Sequence, residues 1–236
     1  ATPQPASGNL FAAIRSESWP QDNEAGESEL RQALGSMSSL PVDQARKEIQ
    51  ELEKRHKLRR EWVWAKLGQA PLAHALEHLN TLAAATTTPL TGASTDDMIH
   101  SYADSGWRAD AAVLDSLATV ATQEDRTTVC TAIQHVYTPW LRDAAELFQQ
   151  RVQAHPLAGR ELDRLGEVTE GTCVLFADGL RFDVGCKLKD MLQGKVGSLE
   201  FTHHTTALPS VTPTAKPAVS PVADKITGLT SGEEFR

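Results

Sequence analysis

Residues 172–177, Thr-Cys-Val-Leu-Phe-Ala, make a short, almost wholly apolar run that stops at Asp178-Gly179. A run of this length without polar alternation suits a strand buried on both faces of a parallel sheet better than an amphipathic helix. Behind it Val184, Leu188, Met191 and Leu192 recur at helical spacing up to Gly194. Leu199, Phe201 and His203 then alternate as in a second strand. Strand, helix, strand is the start of an α/β sheet. The change of character falls near His155-Pro156, and the chain before it obeys a different period.

From Val42 to about Leu67 the sequence is strongly helical, with Asp43 as the expected N-cap and Glu, Lys, Arg and Gln filling most positions. A second helical piece runs from about Pro71 to Ala85. The low-complexity stretch Ala83 to Gly92 holds a proline and a glycine and reads as a linker. Val113, Leu114, Leu117, Val120 and Ala121 then mark a buried helix face, as do Val129, Ile133, Val136, Trp140, Ala144 and Leu147. Thr138-Pro139 interrupts the second series in the way an N-cap before a helix-opening proline does, so two consecutive helices are expected there. Residues 1–41 are rich in Pro, Gly, Ser and acidic side chains with little periodicity, and are expected to be poorly structured or extended. Residues 42–156 form the expected helical region, packed as hairpins.

Composition sets outer limits. The 236 residues are 40% hydrophobic and 23% charged, enough to bury a core. No run of about 18 apolar residues occurs and the first residues lack a secretory pattern, so no membrane contact and a cytoplasmic location are expected. Cys130, Cys173 and Cys186 are odd in number and widely spaced, which suggests reduced thiols rather than a disulfide framework or a zinc knuckle. A net charge of −8 argues against the whole chain being a phosphate-backbone binder. A local basic patch remains open: Lys54 to Arg60 is dense in basic residues and precedes Trp62 and Trp64. Because Glu48, Glu51, Glu53 and Glu61 interleave with it, a solvated, salt-bridged helix is the expected reading over a nucleic-acid or partner contact.

In open α/β sheets ligands bind beyond the carboxyl ends of the strands, which is where Asp178 stands. An Asp-Gly pair after a strand is also an ordinary turn, so position alone leaves both readings open. A second segment follows the next expected strand: Leu208-Pro209-Ser210-Val211-Thr212-Pro213. Together, Val174 to Asp183, read as a hydrophobic strand followed by D-G-L-R-x-D, and the Pro209-Ser210-Val211-Thr212 segment resemble the PglZ domain of bacterial phage-exclusion systems, a branch of the alkaline phosphatase superfamily. The resemblance covers about residues 165–236. It implies a fold class of α + α/β, with residues 157–236 as the N-terminal part of an alkaline-phosphatase-like α/β domain. It also implies a metal-dependent phosphohydrolase in which Asp178 is a metal ligand and Thr212 both contacts that metal and acts as nucleophile. The partners implied are other phage-defence subunits, with nucleic acid open as a substrate.

The chemistry fits those residue types. An alcohol is almost wholly protonated at neutral pH, and a divalent cation lowers its pKa while stabilising charge on phosphoryl oxygens. A carboxylate suits Zn²⁺, the first choice here, and equally Mg²⁺ or Mn²⁺. Thr212-Pro213 also reads as an N-cap followed by a helix-opening proline, which would aim backbone N–H groups at a phosphate. Asp183 is expected to cap the following helix rather than bind metal. Lys216 reads equally as a phosphate contact or a solvated lysine, and Ala215 stands where the nucleotide-pyrophosphatase branch carries an asparagine. His203 and His204 are expected to pack rather than ligate, and the His74/His78 pair lacks a glutamate in zinc-protease register. Between Thr212 and Arg236 there is no histidine, and the only carboxylates are Asp224, Glu233 and Glu234. The further Asp and His ligands of a two-metal site are therefore expected outside this chain, which alone should be inactive. A non-catalytic scaffold or sensor whose helical region docks partner proteins is the alternative reading.

Overall fold

The computed structural model describes residues 17, 19–155, 170–175, 177, 179–203, 205 and 211. The chain divides into two compact units, Ala1–Ala154 and His155–Arg236.

The described part of the first unit is helical. Its α-helices are α1 (Pro20–Gly35), α2 (Val42–His56), α3 (Val63–Lys66), α4 (Pro71–Ala85), α5 (Thr95–Ser101), α6 (Trp107–Ala118) and α7 (Gln123–Ala154). Helix α4 is the centre: it packs chiefly on α6 and α2, and also on α7 and α1. The sequence explains its place, since Leu72, Ala73, Ala75, Leu76, Leu79, Leu82 and Ala83 are all fully buried and cover more than one side of the helix. Around it Leu30 and Leu34 of α1, Ile49 and Leu52 of α2, Ala109 and Ala112 of α6, and Val129, Ile133 and Val136 of α7 complete one core.

Three expectations change here. Residues 20–35, read as extended, form α1. Its buried positions Asn23, Gly26, Glu27, Leu30 and Leu34 do keep helical spacing, but only two of the five carry an apolar side chain, which hides the period from a hydrophobicity reading. Pro20 opens the helix, where a missing N–H costs nothing. Next, α7 runs unbroken through Pro139. A proline inside a helix removes one backbone hydrogen bond and costs about 3 kcal/mol, but Val129, Ile133, Val136, Trp140 and Ala144 bury one continuous stripe on both sides of it. The same stretch is tied down by Arg46, whose Nη2 donates to the Val136 carbonyl at 3.3 Å, and by the His135 ring, 2.7 Å from the Leu40 carbonyl. Third, α2 begins at Val42 with Pro41 in the capping position, so Asp43 lies inside the first turn and pairs with Arg46 at 2.9 Å instead of capping.

The linker proper begins at Thr86, since helix α4 ends at Ala85 as expected. The segment after it is held by Trp140, whose Nε1 donates to the Thr88 carbonyl at 2.9 Å, and by Arg151, whose Nε donates to the Gly92 carbonyl at 3.1 Å. A Cβ on Gly92 would lie 2.6 Å from the Met98 amide, so only glycine fits there. Ser94 and Asp97 then form a reciprocal capping box that starts α5.

In the second unit the described helix is α8 (Phe182–Leu192), which contains the whole Val184 to Leu192 pattern. Phe201 lies against it: its ring centroid is 5.9 Å from that of Phe182 and Lys189 Nζ is 5.4 Å above it, while Gly185 leaves room between. Among the described residues neither 172–175 nor 199–203 carries a strand assignment. The helical region of the expected fold class is therefore present, whereas an α/β sheet is not seen among those residues.

Candidate functional site

Asp178 and Thr212 both lie outside the described residues, as do His204, Ser210, Thr214, Ala215 and Lys216. The chain directly after Asp178 is described. Gly179 has φ of +69°, a left-handed conformation that side-chain-bearing residues rarely adopt, so the chain turns at this glycine. Arg181 is extended at the N-cap position and α8 starts at Phe182. Asp183 therefore sits in the first turn rather than at the cap, where a negative charge is still favoured by the helix dipole. It is wholly buried, and it accepts from Arg181 Nε at 2.9 Å and from Nη2 at 3.2 Å, one bond to each carboxylate oxygen. Both oxygens are thus engaged by Arg181, a local helix-start contact like the capping role expected of Asp183. His203 packs edge-on against Phe182 with centroids 5.1 Å apart, as a packing histidine does.

No group of three or more His, Cys, Asp or Glu residues is gathered as a metal site among the described residues. His74 and His78 are one turn apart on α4, both half-buried. A cleft of about 470 Å³ is lined by Gln134, His135, Thr138, Pro139 and Arg142, all from α7.

The basic run behaves largely as expected. Lys54 pairs with Glu51 at 2.6 Å, Arg55 with Glu29 at 2.6 Å and with Glu48 at 3.4 Å. Arg60 grips both oxygens of Glu53, at 2.5 and 2.8 Å, and donates to the Ala73 carbonyl at 3.2 Å. That hydrogen bonding raises the Arg60 pKa further above its ordinary value.

Arg59 departs from the pattern. It is 5% exposed and forms the centre of a buried polar cluster between α1, α2 and the start of α4. Its Nη2 donates to the Asn23 carbonyl (2.9 Å), to Asn23 Oδ1 (2.8 Å) and to Glu27 Oε1 (2.9 Å). Glu27, 7% exposed, also accepts from the backbone amides of Leu72 at 2.9 Å and Ala73 at 3.3 Å, so its carboxylate serves the free N–H groups at the start of α4. His56 completes the group, with Nδ1 3.4 Å from Arg59 Nη1 and Nε2 3.4 Å from Glu29 Oε2. Reading by charge alone missed this cluster. The signal is spacing: Ala45, Ile49, Leu52, His56 and Arg59 step by four, three, four and three, so the buried stripe of α2 continues straight into the basic run.

Comparison with protein-family models, with curated proteins and with solved structures finds no match.

Proposed function

We propose that this chain belongs to a PglZ-type, metal-dependent phosphoric-ester hydrolase acting in bacterial anti-phage defence. In this reading Asp178 holds a divalent cation, Zn²⁺ or alternatively Mg²⁺ or Mn²⁺, and Thr212 contacts it as nucleophile. The observation that carries the reading is the ordered pair of segments, Val174 to Asp183 and Pro209 to Thr212. The left-handed turn at Gly179 and the immediate start of α8 fit the helix side of such a site. The cation lowers the pKa of the bound alcohol and stabilises charge on the phosphoryl oxygens.

The test is Thr212→Val in the full-length protein. Valine keeps the β-branched shape and removes only the oxygen, so the fold should persist while phosphoesterase turnover falls by several powers of ten. Undiminished hydrolysis would remove Thr212 from the mechanism. Asp178→Ala should in parallel lower metal content measured on the purified protein.

For the helical unit the proposal is a docking module for other defence subunits. The supporting observation is that its strongest cations are turned inward: Arg59 on Glu27, Arg60 on Glu53 and Arg31 on Asp125 at 2.7 Å. A nucleic-acid surface would need such residues facing outward. Removing the unit should abolish co-purification with partner subunits while leaving hydrolysis by the remaining protein intact. Retained co-purification would exclude the docking role.

A further inference from the structure

The buried cluster has one member whose charge changes near neutral pH, and its position gives that change a direction. Arg59 Nη2 is saturated by Asn23 and Glu27, and Arg59 Nε is buried without a hydrogen-bond partner. Nη1 donates to His56 Nδ1 at 3.4 Å, its one acceptor among the described residues. To accept there, the neutral imidazole must carry its proton on Nε2. A second proton can enter only at Nδ1, which turns the acceptor into a donor and sets a cation against a guanidinium.

One surrounding charge, Glu29, favours the second proton, and it is outweighed by burial together with Arg59 and Arg55. Across the seam, α1 presents Glu29, whose Oε2 is 3.4 Å from His56 Nε2 without the alignment of a hydrogen bond. The other oxygen of Glu29, Oε1, is held at 2.6 Å by Arg55, on the same helix as His56, so the Glu29 charge is shared between the two. Glu27, also from α1, is committed to Arg59 and to the α4 amides. The turn after α2 presents Arg59 itself.

We propose that His56 is an acid-released latch of the helical unit: its neutral ring holds Arg59 on Glu27, Glu27 holds the start of α4, and protonation at Nδ1 loosens both. This inference does not depend on the hydrolase reading. Burial first, and then Arg59 and Arg55, push the His56 pKa below its ordinary value against the pull of Glu29. With the closed-state pKa below the open-state value, the latch is at full strength above about pH 6.5 and weakens as pH falls through 6.5 toward the closed-state pKa. The open state takes up the proton more readily, so acid favours opening.

Hydrogen exchange of the Leu72 and Ala73 amides in the full chain, corrected for the intrinsic pH dependence of exchange, reads the latch directly. Between about pH 7.5 and about pH 5.5 protection in the native protein should drop several-fold, by at most about tenfold per pH unit. Val129 in α7 serves as the reference for opening of the whole unit, and its protection should change less. His56→Gln supplies an oxygen that can accept from Arg59 and a group that does not titrate, so the drop at Leu72 and Ala73 should vanish. An equal drop in that variant, or a His56 ring that titrates at or above the ordinary histidine value by NMR, would overturn the latch. Should His56→Gln fail to fold, the ring titration and the Leu72-to-Val129 comparison in the native protein decide the matter.

Discussion

Gly26 shows how one residue's environment reverses a general rule. A glycine inside a helix is ordinarily worth replacing, because alanine is better by about 0.5–1 kcal/mol. Here a Cβ would lie 2.6 Å from Arg59 Cζ and 2.7 Å from Nε. The guanidinium is buried and fastened to Asn23 and Glu27, so it has nowhere to retreat. Gly26→Ala should therefore destabilise the helical unit, by about 1–3 kcal/mol in chemical denaturation; a gain in stability would show that the cluster is loose. Removing one partner of the pair leaves a buried charge, so Glu27→Leu or Arg59→Met alone should each cost about 3–5 kcal/mol. The double variant should recover most of that loss, though not the capping of Leu72 and Ala73 that Glu27 also provides. A cycle of the four proteins measures the coupling. At this scale the sequence was readable by spacing and misleading by chemical type: Asn23, Glu27, His56 and Arg59 occupy core positions, yet their polarity points to the surface.

At the scale of elements, Pro139 tests whether packing or local preference shapes α7. If the shared apolar stripe holds the helix together, Pro139→Ala restores a backbone donor to the His135 carbonyl and should raise stability by about 1–3 kcal/mol without changing helical content by circular dichroism. A loss of stability would mean that the proline bend is needed for packing. The α5 capping box is a second local device: Ser94 Oγ accepts from the Asp97 amide at 3.1 Å and Asp97 Oδ2 from the Ser94 amide at 3.0 Å. Ser94→Ala should cost about 1 kcal/mol. Hydrogen bonding by the Ser94 side chain, then its backbone, holds the Asp97 carboxyl below the usual carboxylate range. A depressed carboxylate contributes stability above its unfolded pKa and loses it as pH falls toward the folded one, so the box should hold at neutral pH and fail in acid. Helices α4 and α8 were legible from apolar spacing, and α2 from its helix-forming residues, although it ends at His56 and not near Leu67. The run Val113 to Ala121 located α6 but misplaced its face, since Leu114 is exposed and Ala109, Ala112 and Ser116 are among the buried positions. Helix α1 was not legible, since only two of its five buried residues carry an apolar side chain. The break in α7 was misread because a proline signal is local, whereas the stripe that overrides it extends for several turns.

For the whole molecule, the distribution of the core decides what can stand alone. Every member of the contiguous buried cluster, from Leu30 to Trp140, lies in the first unit. Its long-range polar ties, Arg59 to Glu27, Arg31 to Asp125 and Trp140 to Thr88, also begin and end there. Residues 17–155 alone match the length of an ordinary single domain. The second unit reads differently: Leu175, Leu180, Leu188 and Met191 are exposed, α8 is its described helix, and the two residues on which the proposed chemistry rests lie outside the described residues. The proposed site was therefore legible only as a pair of sequence segments, because ligands that lie far apart in sequence are brought together only by the fold. The expected outcome is that residues 17–155, produced alone, give a helical circular dichroism spectrum and a single cooperative thermal transition. A first unit that unfolds without cooperativity when separated would mean that its core needs the second, and the docking module would then have to be sought in the whole chain.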